Sequence, residues 1–226
     1  MKECNLLRFF DIFFSFIALF FLIPIFIIVI PLLLLTGEKK VFYRQKRVGR
    51  DNQYFYLLKF ATMLENSPSI GTKTLTVKND PRILPFGHYL RKTKINELPQ
   101  ILNIIKGDMS IIGPRPLTFE AFNSYPSKFK KILLSVKPGL SGVGSIVFRN
   151  EEDMLSKNIS KNFFYKNIMP YKGELEVWFV YNQSLKLYFK LIFLTVIILF
   201  YSRSDVTFKF LKGIPLPRKN IKFFFE

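Results

Sequence analysis

Residues Thr93 to Gln100 read TKINELPQ. An amide and a carboxylate, Asn96 and Glu97, stand side by side just after Arg91, Lys92 and Lys94. A carboxylate among cations is what Mg²⁺-assisted phosphoryl transfer requires, with hard oxygens for the metal and cations for the phosphates. Arg115 lies between two prolines in GPRP, so its backbone is stiff, and a guanidinium can grip phosphate oxygens bidentately. Lys59 and Arg149 are further cations of this kind. A helix beginning at Asn96 would add free N–H groups and a partial positive charge, which attract phosphate. The same residues also permit a purely structural account. Asn96 could be a helix N-cap, Glu97 a first-turn acid favourable to the dipole, and the cations solvated surface charge.

Other chemistries lack their parts. One histidine (His88) and one cysteine (Cys4) cannot build a Cys/His zinc site or an internal disulfide. His88, following Phe86 and Gly87, reads as a surface or packing residue. Neither GxxxxGK[ST], nor GxGxxG after a strand, nor GxSxG occurs, and the glycines of KPGLSGVGS have the wrong spacing for a phosphate loop. The chain has 226 residues, 34 of them basic and 16 acidic, for a net charge of +18. That balance implies an anionic partner. With 27 Phe, the composition points to a lipid–water boundary rather than to nucleic acid. A membrane-tethered nucleic-acid binder would rest on charge alone, because no helix-turn-helix, zinc-finger or RNP-like pattern supports it. No nucleic-acid partner is expected.

The elements that must position this chemistry begin with Ile12 to Leu35, which carries no charged side chain. Its 24 residues would form roughly 36 Å of helix, enough to cross a bilayer core of about 30 Å. Pro24 and Pro31 interrupt it, and both flanks are basic, with Lys2 and Arg8 before and Lys39 to Arg50 after. These features leave open a kinked single span and a re-entrant segment that bends at Pro24. Tyr54 to Phe60 reads as a strand, Glu65 to Pro81 as a surface loop, and Asn96 to Lys106 as a helix stopped by Gly107. Phe119 to Leu134 predicts one or two short helices, Val143 to Phe148 a short strand, and Glu174 to Gln183 a helix or a strand. Leu191 to Tyr201 is too short to span and predicts a core or interfacial helix. The tail after it alternates Lys and Arg with Phe, which suits either a membrane surface or a solvated end. Asp108 is expected to cap or to pair with Arg115, and Trp178 to lie in the core or an interface.

Taken together, RFFDIFF, Pro24, VFYRQKRVG, YLLKFATM, LRKTKINELPQILNIIKGDMSIIGPRP, VKPGLSG and GELEVWFVYNQSL resemble the bacterial sugar transferase family. These are small membrane-embedded polyprenol-phosphate phosphoglycosyl transferases. The resemblance runs from about Arg8 to Thr195, and the block from Leu90 to Pro116 is highly specific.

The resemblance implies an α/β, mainly helical fold. Residues 1–36 would form a re-entrant membrane helix hairpin. Residues 37–202 would form a small cytoplasmic domain with an interfacial amphipathic helix near 187–201, followed by a basic aromatic tail, 203–226. The protein would sit on the cytoplasmic face of the bacterial inner membrane. It would move a sugar 1-phosphate from a nucleotide diphosphate sugar, usually a UDP-sugar, to undecaprenyl phosphate, releasing UMP and starting a surface glycan. Membrane lipids, a second copy of the chain and glycan-assembly enzymes are the other expected partners. In similar enzymes an adjacent Asp–Glu pair works at a helix N-terminus, the Asp as nucleophile and the Glu with Mg²⁺. Here Asn96 and Glu97 occupy those positions. Lys59, Arg91, Arg115 and Arg149 match phosphate-binding cations, and Glu176 matches an acidic position of the family.

Three residues depart from the pattern. Ala61 replaces a basic residue, Ile23 stands before Pro24 where serine is common, and Asn96 replaces the nucleophile. A neutral amide is a poor nucleophile, which leaves three alternatives. Glu97 attacks, or the lipid phosphate attacks directly with help from Asn96, or the protein is an inactive scaffold that binds substrates or partners.

Overall fold

The computed structural model describes residues 5–69, 80–149, 151, 161–200 and 204–222. The middle of the expected surface loop (70–79), residues 150 and 152–160, and Phe223 to Phe225 of the expected tail lie outside the described residues.

Helix α1 (Asn5–Leu35) has a mean hydropathy of 3.2 in its most apolar window and is long enough to cross a membrane. It stays helical through Pro24 and Pro31, so the expected break into two helices is not present. Each proline removes one ladder bond, and the many bonds flanking it keep the element continuous. Both ends of α1 are tied to the same globular body. Near its start, Arg8 donates to the Ile104 and Ile105 carbonyls at 2.7 and 3.0 Å. Those carbonyls belong to the last turn of α3 (Gln100–Lys106), where a cation also suits the dipole. Asp11 is buried and accepts from Ser110 Oγ, the Ile111 amide and the Tyr188 hydroxyl at 2.9–3.0 Å. Near its end, Val29 and Leu33 are buried with Phe60 and Leu90, and Phe26 stands edge-on to Phe60. Between the two anchors, Phe16, Phe20, Phe21 and Ile23 are exposed.

Strands β1 (Phe42–Val48) and β2 (Tyr54–Phe60) form an antiparallel hairpin in which Tyr43 faces Lys59. Side chains alternate along β1, with Tyr43, Gln45 and Arg47 half-buried and Phe42, Arg44 and Lys46 exposed. Buried Asn103 fastens β2 to α3. It donates to the Tyr56 carbonyl at 2.8 Å and accepts from the Leu58 amide at 3.0 Å. Phe55, Leu57, Ile104 and Met109 pack behind this junction.

Helix α2 (Pro85–Lys92) leads into a turn of 3₁₀ helix at Ile95–Glu97, entered through Lys94 in the left-handed region at φ 61°. The expected helix start at Asn96 is therefore corrected. α3 begins only at Gln100, and Asn96 is not its cap, because Pro99 precedes the helix without a side-chain cap bond. The stop at Gly107 is as expected. Its φ of 101° lets its amide close on the Asn103 and Ile104 carbonyls.

Short strand β3 (Ser110–Ile112) runs parallel to β4 (Gly139–Ser141). Between them lie α4 (Phe119–Asn123), which Thr118 caps, and α5 (Ser127–Leu133). The expected strand at Val143 to Phe148 is instead α6 (Val143–Val147). Val143, Ile146 and Val147 recur at helical spacing and are buried. After the turns Lys161–Phe163 and Phe164–Ile168 come α7 (Met169–Tyr181), α8 (Leu185–Phe200) and α9 (Ser204–Phe210). Leu187, Leu191, Leu194 and Ile198 bury one face of α8, while Phe189, Phe193, Val196 and Leu199 leave an exposed apolar face. The described part of the tail is not a solvated end. Leu211, Ile214 and Ile221 are buried in the main core, and Tyr171 donates its hydroxyl to the Pro215 carbonyl at 2.9 Å.

Two substitutions test this account. Asn103→Ala leaves the Leu58 amide and Tyr56 carbonyl unsatisfied and should cost about 2–4 kcal/mol, read as thermal destabilisation in detergent. Gly87→Ala would ordinarily favour a helix by up to about 1 kcal/mol. Here the added Cβ would overlap the Thr62 backbone, so the same measurement should show a loss of stability.

Candidate active site

The β1–β2 hairpin, the turn after α2, and the segments carrying Arg115, Glu151 and Lys172 enclose a cavity of about 260 Å³. Tyr43, Gln45 and Arg47 project into it from alternate positions of β1, and Lys59 joins them from the facing position of β2. Arg91 comes from the last turn of α2, where it reaches Met63 Sδ at 3.8 Å. The left-handed backbone at Lys94 turns the chain so that Lys94, Asn96 and Glu97 all line the cavity. Arg115 closes the other side from the GPRP turn.

Glu97 is the electrostatic centre. Lys59 Nζ donates to its Oε1 at 2.7 Å, and Arg115 Nη2 lies 3.8 Å from the same oxygen. Burial alone would raise the Glu97 carboxyl, but the charges of Lys59, Arg115 and Lys94 outweigh it and hold the group well below the usual carboxylate range. Burial pushes the Lys59 ammonium down to about 8 despite its partner. Burial, with repulsion from Arg115, lowers Arg47 to about 10. Glu97 is therefore ionised at any physiological pH and cannot carry a proton, whereas Lys59 is poised to lose one.

Asn96 is buried, and its side-chain oxygen has no hydrogen-bond partner among the described residues. An orphaned buried oxygen on a cavity wall calls for a ligand. Among the described residues no cluster of three or more His, Cys, Asp or Glu could hold a metal. Mg²⁺ needs fewer protein oxygens, because it keeps waters and shares substrate phosphates. The Glu97 carboxylate and the Asn96 carbonyl oxygen fit that role.

The cavity thus gathers Lys59, Arg91, Asn96, Glu97 and Arg115, but not every expected residue. Arg149 follows α6, half-buried, and is not among the residues that line it. Glu176 is buried behind the wall, where it accepts the Arg115 amide at 3.2 Å and packs against Gly144. Burial pushes its carboxyl up to about 7. It positions the Arg115 turn and does not face the cavity. Asp108 pairs with Lys106 and accepts from Asn103, not from Arg115. His88 is exposed, and Trp178 packs against the main core, as expected. Sequence reasoning did not single out Arg47, Glu151 or Lys172. The two-residue alternation of β1 could have marked Arg47, since it shares a face with Tyr43. Nothing local marked Glu151 and Lys172, whose pairing at 2.7 Å joins residues 21 apart.

Several known proteins are similar to this chain in sequence. The exopolysaccharide production protein ExoY of Sinorhizobium fredii is 37% identical over 158 residues, covering 64% of this chain and 70% of that protein. The UDP-glucose:undecaprenyl-phosphate glucose-1-phosphate transferase of Klebsiella pneumoniae is 33% identical over 199 residues, covering 86% of this chain and 40% of that protein. The undecaprenyl-phosphate galactose phosphotransferase of Salmonella typhimurium is 34% identical over 139 residues, covering 55% and 29% respectively. The chain therefore spans less than half of the last two proteins. The family model described as bacterial sugar transferase matches residues 3–202. With its cation-ringed carboxylate inside that match, the chain belongs to the bacterial sugar transferase family.

Proposed function

We propose that the protein transfers a sugar 1-phosphate from a UDP-sugar to undecaprenyl phosphate, releasing UMP, at the cytoplasmic face of the bacterial inner membrane. The observation that carries this reading is the ionised Glu97, held between Lys59 and Arg115 beside the unpartnered Asn96 oxygen. Lys59, Arg91 and Arg115 neutralise the donor's diphosphate. Asn96 and Glu97 would hold Mg²⁺, which when bound supplies positive charge to the phosphate oxygens.

Glu97 is engaged by two cations and Asn96 is neutral, so the attacking oxygen is assigned to the lipid phosphate. Its bond to the sugar-bearing phosphorus forms as the bond to UMP breaks, and UMP leaves with the electron pair. The seat of α1 supports insertion from one face. Arg8 and Leu33, near opposite ends of the helix, both pack on the same globular body, while the apolar middle is exposed. The basic residues flanking α1 and the apolar outer face of α8 suit a cytoplasmic lipid surface. The lipid-linked sugar is a starting unit for exopolysaccharide assembly enzymes.

A second reading, an inactive scaffold, is favoured by one observation, the amide at 96. UMP release separates the two. Detergent-purified native protein with undecaprenyl phosphate, Mg²⁺ and a panel of UDP-sugars should release UMP, and Glu97→Gln should lower the rate by about 10²–10³. Release only by Asn96→Asp would establish the scaffold. Direct attack also predicts no exchange of label between UMP and UDP-sugar when the lipid is absent. Exchange would reveal a covalent intermediate instead.

The pH profile follows from Lys59. Its ammonium is present below about 8 and is lost above it, so kcat/KM for the donor should fall about tenfold per unit as pH rises past that point. Lys59→Arg should move this descending limb to higher pH. A profile flat to pH 10 in the native protein would remove Lys59 from phosphate binding.

A further inference from the structure

One carboxylate of the cavity remains unused. Glu151 lines it, with a side chain 26% exposed, and accepts from Lys172 Nζ at 2.7 Å. Lys172 lies beside it on the cavity wall, its side chain only 6% exposed, with its ammonium 5.2 and 6.0 Å from the ring centroids of Phe148 and Phe164. The buried ammonium therefore anchors a carboxylate that looks into the cavity. Burial alone would raise Glu151, but Lys172, and more distantly Arg115 and Lys94, keep it below its ordinary value and so ionised. Arg115 and Lys94 act on Glu97 as well, which places the two carboxylates around the same cations.

Glu97 is already countered by Lys59 and Arg115, and a second anion in the same lining would repel the phosphates that Lys59 and Arg91 attract. A fixed carboxylate next to such a site is well suited to a neutral group rich in hydroxyls, whose protons it accepts in strong charge-assisted hydrogen bonds. Tyr165, Met169 and Thr118 line the same cavity and supply an aromatic face, an apolar contact and a hydroxyl. A sugar joined to the phosphate at Arg115 meets these requirements.

We propose that Glu151, anchored by Lys172, receives hydroxyl groups of the donor's sugar and discriminates between sugars. This rests on the UDP-sugar reading above. A site that hydrogen-bonds a particular hydroxyl rejects donors that lack or misplace it, because its own polar group is then left unpaired.

Calorimetry on the full-length protein in detergent tests it, with UMP and with UDP-glucose, UDP-galactose and UDP-N-acetylglucosamine as probes. Native protein should separate at least two of the sugars by tenfold or more. Glu151→Gln should reduce that separation to within about threefold, while UMP, which has no sugar, should bind within about threefold of native. Glu151→Asp keeps the charge and the Lys172 pairing but shortens the reach, so it should fold like the native protein and show intermediate discrimination.

Unchanged discrimination in both variants overturns the proposal, as does a native protein that does not discriminate. Equal loss of UMP and sugar-nucleotide binding shows a structural role and also overturns it. A sugar-phosphate adduct on Glu151 in quenched reactions would make it a nucleophile and overturn it too. Discriminating binding without UMP release on adding undecaprenyl phosphate would sink the transfer reading and leave this one standing. Failure to bind any of the probes would sink both.

Discussion

The carboxylate of Glu97 is largely shielded from solvent, and Lys59 and Arg115, which face it, help to hold it charged. A lone carboxylate shielded in this way would take up a proton more readily, and a lone shielded lysine would give one up more readily. Each of the three groups is therefore in place because of the others, and they come from three separate parts of the chain. The fold can be understood as the set of constraints that bring those parts together. Strand β2 delivers Lys59, a left-handed residue delivers Glu97, and a proline-flanked turn delivers Arg115.

Two of these deliveries are secured by polar side chains inside the structure. Asn103 bonds both to a carbonyl and to an amide of β2, which fixes α3, and with it the turn of Glu97, against the strand of Lys59. Glu176 accepts the amide of Arg115 from behind, which fixes the backbone that carries the guanidinium. Satisfied buried groups of this kind are expensive to disturb, and this makes the cavity rigid where phosphate charge must be matched. The long apolar helix belongs to the same system. Arg8 closes the C-terminal carbonyls of α3, so the long apolar helix also braces the helix beneath the site.

Helix α1 shows how one apolar pattern supports two geometries. Apolarity, length and basic flanks were all evident along the chain, and the helix forms where they indicated. The prolines suggested a break, yet the element is continuous from Asn5 to Leu35. Whether a proline opens a helix depends on what holds the two halves. Here Arg8 and Asp11 hold one end on partners 96 to 177 residues away in sequence, and Val29 and Leu33 hold the other in a separate core cluster.

By itself the sequence determined what depends on neighbours along the chain. It specified the strand at Tyr54 to Phe60, the helix stop at Gly107, the apolar N-terminal helix, and the cations clustered around an amide–carboxylate pair. These follow from periodicity, glycine's freedom at positive φ and the stiffness of proline, all of which act over a few residues. The tertiary structure decided the rest. It made Val143 to Val147 helical by packing them against α7, although their β-branched side chains favour strands. It placed Asn96 in a separate turn on the cavity wall, with its side-chain oxygen buried and unpartnered, instead of capping α3. It put Glu176 behind the wall, left Arg149 off it, and brought Glu151 and Lys172 onto it. Burial and charge pairing between distant segments are properties of three-dimensional proximity, and local spacing does not encode them.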